Sequence, residues 1–139
     1  MTHRLIVLLL AAGLAVAACG ESEEDKAKAQ VCDARADIQK QVDELQGLTL
    51  STATVDGVTQ NLRAIRADLG KIKDAQGNLN DERKKQVQDA NQAFEQQVRS
   101  TVQNVGKSLS VSDAQTQLKS AVTDLANSYK QTLGKVDCS

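Results

Sequence analysis

Apolar residues recur every three or four positions over most of the chain after residue 25, with polar residues between them. This period is typical of amphipathic helices that bury one face against a neighbour. The pattern is interrupted at three places by runs rich in Thr, Ser, Gly or Asn, residues that favour turns and helix ends. The chain beyond residue 25 is therefore predicted to form four helices.

The first two predicted helices each carry a regular apolar stripe. The stripe of the first helix consists of Val31, Ala34, Ile38, Val42, Leu45 and Leu48. The stripe of the second helix consists of Val58, Leu62, Ile65, Leu69 and Ile72. Spacings of four and three alternate strictly in the second stripe, as in the heptad seam of a packed bundle. The first helix is expected to end near Gly47, and Gly77 and Asn78 are expected to end the second.

The last two predicted helices begin at favourable capping residues. Asn80 suits the N-cap of the third helix, and Ser112 and Gln115 form a Ser-x-x-Gln capping box for the fourth. The stripe of the third helix consists of Val87, Ala90, Phe94, Val98, Val102 and Val105. The stripe of the fourth helix consists of Leu118, Ala121, Val122, Leu125, Tyr129, Leu133 and Val136. Gly106 is expected to close the third helix, and the fourth is expected to run nearly to Cys138.

The expected fold class is all-α, an antiparallel up-down-up-down four-helix bundle. Helices of similar length with short connections run antiparallel to their chain neighbours, and these helices would each be about 30–42 Å long. The bundle domain is assigned to residues 26–139. Residues 19–25, which include Glu21, Glu23, Glu24 and Asp25, are expected to form an acidic tether that leads into the first helical turn.

The first 18 residues have the layout of an export signal. Arg4 provides a positive charge near the start, and residues 5–18 are uninterrupted apolar or small residues. This apolar segment would span only about 21 Å as a helix, less than the ~30 Å hydrocarbon core of a bilayer. A cleaved leader is therefore expected rather than a permanent membrane span.

The segment ends in Val16, Ala17, Ala18 and Cys19, which resemble the lipobox of bacterial lipoproteins. The resemblance implies removal of residues 1–18 and acylation of the Cys19 thiol, because small residues fit the peptidase and only a thiol forms the thioether. Two or more acyl chains anchor a protein stably. The expected location is the cell envelope outside the cytoplasmic membrane, with the membrane as a partner through the lipid anchor. The whole pattern also resembles small uncharacterised lipoproteins and secreted proteins of high-GC Gram-positive bacteria.

With Cys19 acylated, Cys32 and Cys138 remain as one pair in an exported, oxidising compartment, and we expect a disulfide between them. Cys32 lies near the start of the first helix and Cys138 at the end of the fourth. A disulfide requires the two Cα atoms to lie about 5.5 Å apart. An even number of antiparallel helices returns the chain to its starting end, so four helices allow this bond. The alternative, a redox-active pair, would more often have the Cys-x-x-Cys spacing.

Composition narrows the functions that the mature domain can have. The formal net charge is −1 and only 1% of residues are aromatic, so the basic excess and stacking side chains of a nucleic-acid-binding domain are missing. His3 is the single histidine, and it leaves with the leader, which removes imidazole from general-base and metal-ligand roles. We therefore assign no catalytic residue, metal ligand or cofactor, and do not expect an enzyme.

Three short motifs have a structural interpretation that outweighs a functional one. The Gly-Lys-Ser of residues 106–108 matches only the tail of a phosphate-binding loop and is expected at a helix C-terminus. Residues 78–82 offer oxygen ligands at alternate positions, but they lack the remaining ligands of a calcium loop, so a turn and N-cap are expected. Arg63 and Arg66, near Asp68, could clamp an anion, but are expected on a solvated helix face.

Two further features are interpreted in the same way. Phe94 and Tyr129 fall on the apolar stripes and are expected in the core rather than on a ligand platform. A series of glutamines on the third helix could be a docking surface for an envelope partner, but is expected to be solvated. This series consists of Gln86, Gln88, Gln92, Gln96, Gln97 and Gln103.

The expected function is that of a non-enzymatic interaction or structural module displayed in the envelope, with an envelope protein as the candidate partner. The alternative is a carrier that holds a lipid or another apolar ligand between the helices. A carrier needs a cavity of roughly 300 Å³ or more among Ile65, Phe94 and Leu125. An interaction module should instead be packed solid.

Overall fold

The computed structural model describes residues 22–50, 55–108 and 114–139, and the regular structure of these residues is helical throughout. The four α-helices are α1 (Glu23–Leu50), α2 (Val55–Ala75), α3 (Asp81–Ser108) and α4 (Ala114–Gln131). One 3₁₀ turn follows α2 at Gln76–Asn78, and another follows α4 at Leu133–Lys135. The prediction of four helices is confirmed, whereas the leader, the lipobox and Cys19 lie outside the described residues.

The helices form an antiparallel up-down-up-down bundle, as predicted. α1 packs against α2 and α4, and α3 packs against the same two helices, so each helix has two neighbours around the bundle. The start of α1 and the end of the described chain therefore lie at the same end of the bundle. This end, which holds Cys32 and Cys138, is called the cysteine end below.

The core consists of the predicted stripes. The side chains in its centre are fully buried and include Ile38, Leu45, Val58, Ile65, Ile72, Val87, Phe94, Val98, Val122, Leu125 and Leu133. The stripe residues that are only partly buried are Leu48, Ala90, Val102 and Leu118. Three polar residues, Asp68, Asn91 and Thr101, are buried beside the stripes without having been predicted there.

The N-termini of α1 and α3 are both capped. The backbone amide of Asp25 donates to Ser22 Oγ at 3.1 Å, so α1 begins at Glu23 and the acidic residues Glu23, Glu24 and Asp25 form its first turn. The backbone amide of Arg83 donates to Asn80 Oδ1 at 2.9 Å, which confirms the predicted N-cap of α3. The predicted capping box at the start of α4 includes Ser112, which lies outside the described residues.

Three helix C-termini differ from their predicted positions. α1 continues beyond Gly47 to Leu50, and α3 continues beyond Gly106 to Ser108. α4, in contrast, ends at Gln131 instead of running nearly to Cys138. The backbone leaves the helical region at Thr132, with φ −113° and ψ −96°, and a 3₁₀ turn follows.

Candidate functional site

The residue assigned to lipidation directly precedes the bundle in the sequence. α1 begins at Glu23, four positions after Cys19. An anchor at Cys19 would therefore hold the cysteine end of the bundle close to the membrane. Cys19 and the lipobox residues Val16, Ala17 and Ala18 are themselves outside the described residues.

Cys32 and Cys138 form the predicted disulfide at the cysteine end. Their Cα atoms are 5.8 Å apart, although 106 positions separate the two residues in sequence. The bond joins the third turn of α1 to the C-terminal residues that follow the last 3₁₀ turn. The amino group of Lys28 donates to the carbonyl oxygen of Ser139, which ties the last residue to the same part of α1.

Arg35 connects α1, α4 and the C-terminal residues. The Arg35 guanidinium donates to the carbonyl oxygen of Val136 at 2.6 Å, and the Tyr129 hydroxyl donates to the carbonyl oxygen of Arg35 at 3.1 Å. Burial raises the pKa of Tyr129 above its ordinary value, which favours the neutral phenol that donates this bond. The C-terminal residues are thus fastened by hydrogen bonds as well as by the disulfide.

Ser139 donates two hydrogen bonds to Asp137 at the end of the chain. The hydroxyl of Ser139 lies 2.5 Å from Asp137 Oδ1, and its backbone amide lies 2.9 Å from the same oxygen. These bonds favour the ionised carboxylate and lower the pKa of Asp137. The exposed chain end therefore carries a carboxylate that is already satisfied by local donors.

The short motifs have the structural roles that were expected. Residues 106–108 lie in the last turn of α3 and not in a phosphate-binding loop. Residues 78–82 are the end of a 3₁₀ turn, the N-cap and the first turn of α3. Within the described ranges, no group of three or more His, Cys, Asp or Glu side chains is placed to hold a metal ion.

Phe94 and Tyr129 are both buried in the core, as predicted. Their ring centroids are 5.7 Å apart with an interplanar angle of 76°, an edge-to-face contact between α3 and α4. Five members of the glutamine series on α3, Gln86, Gln88, Gln92, Gln96 and Gln103, are exposed, and Gln97 is partly buried.

Asp68 is buried, although it lies near the solvated residues Arg63 and Arg66 in the sequence. It is 3% exposed, whereas its sequence neighbours Arg63 and Arg66 are exposed as expected. The amide of Gln41 donates to Asp68 Oδ2 at 2.8 Å, and the ammonium group of Lys71 contacts Oδ1 at 2.6 Å. The hydrogen bond to Asp68, reinforced by its charge, raises the pKa of Lys71.

The sequence places Asp68 beside an apolar stripe, where burial depends on the side chain that the neighbouring helix presents. Asp68 lies three residues after Ile65, and Gln41 lies three residues after Ile38, so both flank an apolar stripe. Two polar residues at flanking positions of adjacent helices can meet across the α1–α2 interface. The cluster links these helices, and the carboxylate of Asp37 on α1 lies near enough to Lys71 to add its negative charge.

A groove runs between α2 and α3 on the surface of the bundle. It consists of two adjoining depressions of about 260 and 340 Å³ that share Arg66. Its floor is formed by Leu62, Leu69, Val98, Val102 and Val105. The cations on its rim are Arg63, Arg66, Lys73 and Arg99. We call this feature the basic groove.

Arg63 and Arg66 lie on a solvated face, as expected, but the groove that they border was not predicted. The spacing on α2 contained a signal, because positions 63, 66, 70 and 73 form a second stripe beside the apolar one. The contribution of Arg99 could not be foreseen, since it requires the pairing of α2 with α3. A further depression of about 350 Å³ between α1 and α2 is mainly acidic, with Asp33, Asp37 and Asp74 in its lining.

Across residues 22–50, 55–108 and 114–139, no helix combines the length and apolar character that crossing a membrane requires. A scan against protein-family models and searches of the curated proteins and of the solved structures found no match to the chain.

Proposed function

We propose that the chain is the precursor of a lipoprotein that is anchored through Cys19 and displays its bundle outside the cytoplasmic membrane as a non-enzymatic interaction or structural module. The leader and the Val16-Ala17-Ala18-Cys19 sequence support the anchor. Both an acylated cysteine and a stable disulfide are expected in the cell envelope, outside the reducing cytosol.

The observation that carries this proposal is the disulfide at the cysteine end. A bond between Cys32 and Cys138 persists in an oxidising compartment and is rare in the cytosol. It also leaves Cys19 as the one cysteine without a thiol partner, and that cysteine is the one in the lipobox. The proposed acylation of Cys19, the envelope location and the Cys32–Cys138 disulfide are therefore consistent with one another.

The packing of the core favours an interaction module over a carrier. Ile65, Phe94 and Leu125 are each 0% exposed and belong to one continuous apolar cluster. None of these three residues lines the grooves described above, which open at the surface. If organic extraction of the purified protein released a stoichiometric apolar molecule, the carrier function would replace the module.

Intact mass measurement of the protein from the membrane fraction tests the anchor. We expect the mass of residues 19–139 plus acyl chains, with two thiols that react with a maleimide only after reduction. A Cys19→Ser variant should keep the disulfide and lose the acyl chains. An unmodified mass for the wild-type protein, or free thiols at Cys32 and Cys138 before reduction, would contradict the proposal.

A further inference from the structure

The rim of the basic groove carries positive charge that the bundle itself does not neutralise. Arg63, Arg66 and Lys73 are exposed, and their side chains have no hydrogen-bond or ion-pair partner among the described residues. Arg99 is paired with Glu95 at 2.6 Å. Four cations and one carboxylate give the groove a net charge of +3, whereas the whole chain has a net charge of −1.

Two glycines in the lining have no role in the fold that would require glycine. Gly70 lies well inside α2, where glycine is about 0.5–1 kcal/mol less favourable than alanine, and Gly106 lies in α3. A Cβ atom built on either residue would meet nothing within 4 Å, and neither residue has a positive φ. Both glycines keep the groove open, so that another backbone can approach it closely.

The shape of the groove fits one further helix. The groove follows α2 from Thr59 to Lys73, and these two residues are about 21 Å apart along the helix axis. The floor residues Leu62, Leu69, Val98 and Val105 are 0–7% exposed and already pack in the core, so the apolar floor residue that remains partly open to a ligand is Val102.

We propose that the basic groove binds an acidic amphipathic helix of an envelope partner, which would lie along α2 and α3 as a fifth helix. The inference deepens the proposed interaction role and rests on it. A row of cations along a groove between two helices, with Val102 partly open at its floor, complements a helix that carries carboxylates along its edges and apolar residues between them.

Other anions complement the groove less well. A flat lipid headgroup surface can meet the cationic rim, but it cannot enter the recess between two helices. A single phosphate can neutralise only part of a row that extends from Arg63 to Lys73, about 15 Å along α2. A polyanion without an apolar face would leave the partly buried Val102 uncovered.

The test uses a synthetic helical peptide of about 18 residues, with leucines at heptad positions and glutamates flanking them. Its binding to the full acylated protein in phosphatidylcholine nanodiscs is measured by fluorescence anisotropy at low salt. An isomer of the same composition, with the leucines spread around the helix, serves as the matched probe. We expect the amphipathic peptide to bind at least tenfold more tightly than this isomer.

Charge reversal at the rim tests whether the cations of the basic groove contribute to peptide binding. We expect Arg63→Glu with Arg66→Glu to weaken peptide binding at least tenfold, because two attractions become repulsions. The control is Lys119→Glu with Lys130→Glu, which makes the same change on the exposed face of α4 and should change affinity less than twofold.

Filling the groove with a larger side chain tests whether peptide binding requires its open space. Gly70→Leu should remain folded, because nothing occupies the space at this position, and should weaken peptide binding at least tenfold by blocking the floor. Ala36→Leu adds an exposed leucine on α1 and should leave affinity unchanged. Circular dichroism and urea unfolding verify that each variant is folded.

Three outcomes would overturn the inference. These are equal binding of the two peptides, binding that Gly70→Leu does not weaken, and phosphatidylglycerol vesicles that bind through Arg63 and Arg66 when the peptide does not. The intact mass of the same sample separates this test from that of the anchor. Acylated protein without peptide binding contradicts the groove proposal alone, whereas unmodified protein that binds the peptide contradicts the anchor alone.

Discussion

Tyr129 joins more parts of the molecule than any stripe position suggests. Its ring meets Phe94 of α3 edge-on, and its hydroxyl donates to the carbonyl oxygen of Arg35 on α1. The Arg35 side chain in turn holds the carbonyl oxygen of Val136, beyond the end of α4. A side chain on the apolar stripe thus packs against α3 through its ring and also forms a hydrogen bond to α1.

Replacement of Tyr129 by phenylalanine should lower the free energy of unfolding by about 0.5–1.5 kcal/mol, the usual net value of one intramolecular hydrogen bond. The edge-to-face contact with Phe94 should remain, because the ring is unchanged. Urea unfolding at neutral pH measures the difference. A loss well above this range would mean that the ring had moved.

The same variant should change the response to alkaline pH. The pKa of Tyr129 is raised in the folded state, so its contribution is complete below the unfolded value near 10.0 and is lost as pH rises through the folded pKa. The pKa of Lys71 is raised as well, so part of the alkaline decline should persist without Tyr129. We expect urea midpoints at about pH 8 and about pH 11 to differ less for Tyr129→Phe than for the wild type. Equal differences would contradict this account.

At the residue scale, the sequence predicts burial well along the stripes and poorly beside them. Ile65, Phe94 and Leu125 occupy the centre of a stripe, and any packing of the four helices buries them. Asp68 lies at the edge of a stripe, where burial depends on the side chain that the neighbouring helix presents. Gln41 supplies that partner, and the pairing is visible only once α1 and α2 are placed side by side.

At the scale of the elements, the existence of each helix was easier to predict than its last turn. A single glycine costs a helix only about 1 kcal/mol, which neighbouring turns with a buried face can offset, so α1 and α3 continue beyond Gly47 and Gly106. The end of α4 could not be predicted from the sequence for another reason. Leu133 and Val136 are three apart, a spacing that an α-helix and a 3₁₀ turn both place on one side.

Two glycines should respond in opposite ways to the same substitution. Gly70→Ala should raise the free energy of unfolding by about 0.4–1 kcal/mol, because the helix gains a better former and the Cβ atom has open space. Gly134→Ala should lower it by about 1–3 kcal/mol, because a Cβ atom there would lie 3.1 Å from the carbonyl oxygen of Tyr129. Urea unfolding of the two variants measures both changes. The same sign for both would contradict the local geometry.

At the scale of the whole molecule, the disulfide and the bundle depend on each other. Four antiparallel helices bring Cys32 and Cys138 together, and the bond then limits how far the unfolded chain can expand. The fold class and this pairing were both predictable, because they follow from counting helices and cysteines. The basic groove was not, because its two walls are 20 or more positions apart in sequence and become neighbours only in the bundle.

Removal of the disulfide should lower the stability of the bundle without changing its architecture. For the double variant Cys32→Ser, Cys138→Ser we expect a loss of about 2–5 kcal/mol in the free energy of unfolding, since the bond closes almost the entire domain. Helical content at low temperature should be retained, because the core residues are unchanged. Urea unfolding monitored by circular dichroism, with the reduced wild-type protein as a second comparison, measures the effect. An unchanged midpoint would show that the bond adds no stability.

The disulfide also closes residues 32–138 into a covalent ring that joins the proposed anchor only through the segment between Cys19 and Cys32. A protease that cuts once between α1 and α2, or once between α3 and α4, would leave both fragments attached to the membrane. Release of the domain requires a cut before Cys32, two cuts within the ring, or one cut together with reduction. Damage to an interhelical connection would therefore not by itself shed any part of the protein from the cell.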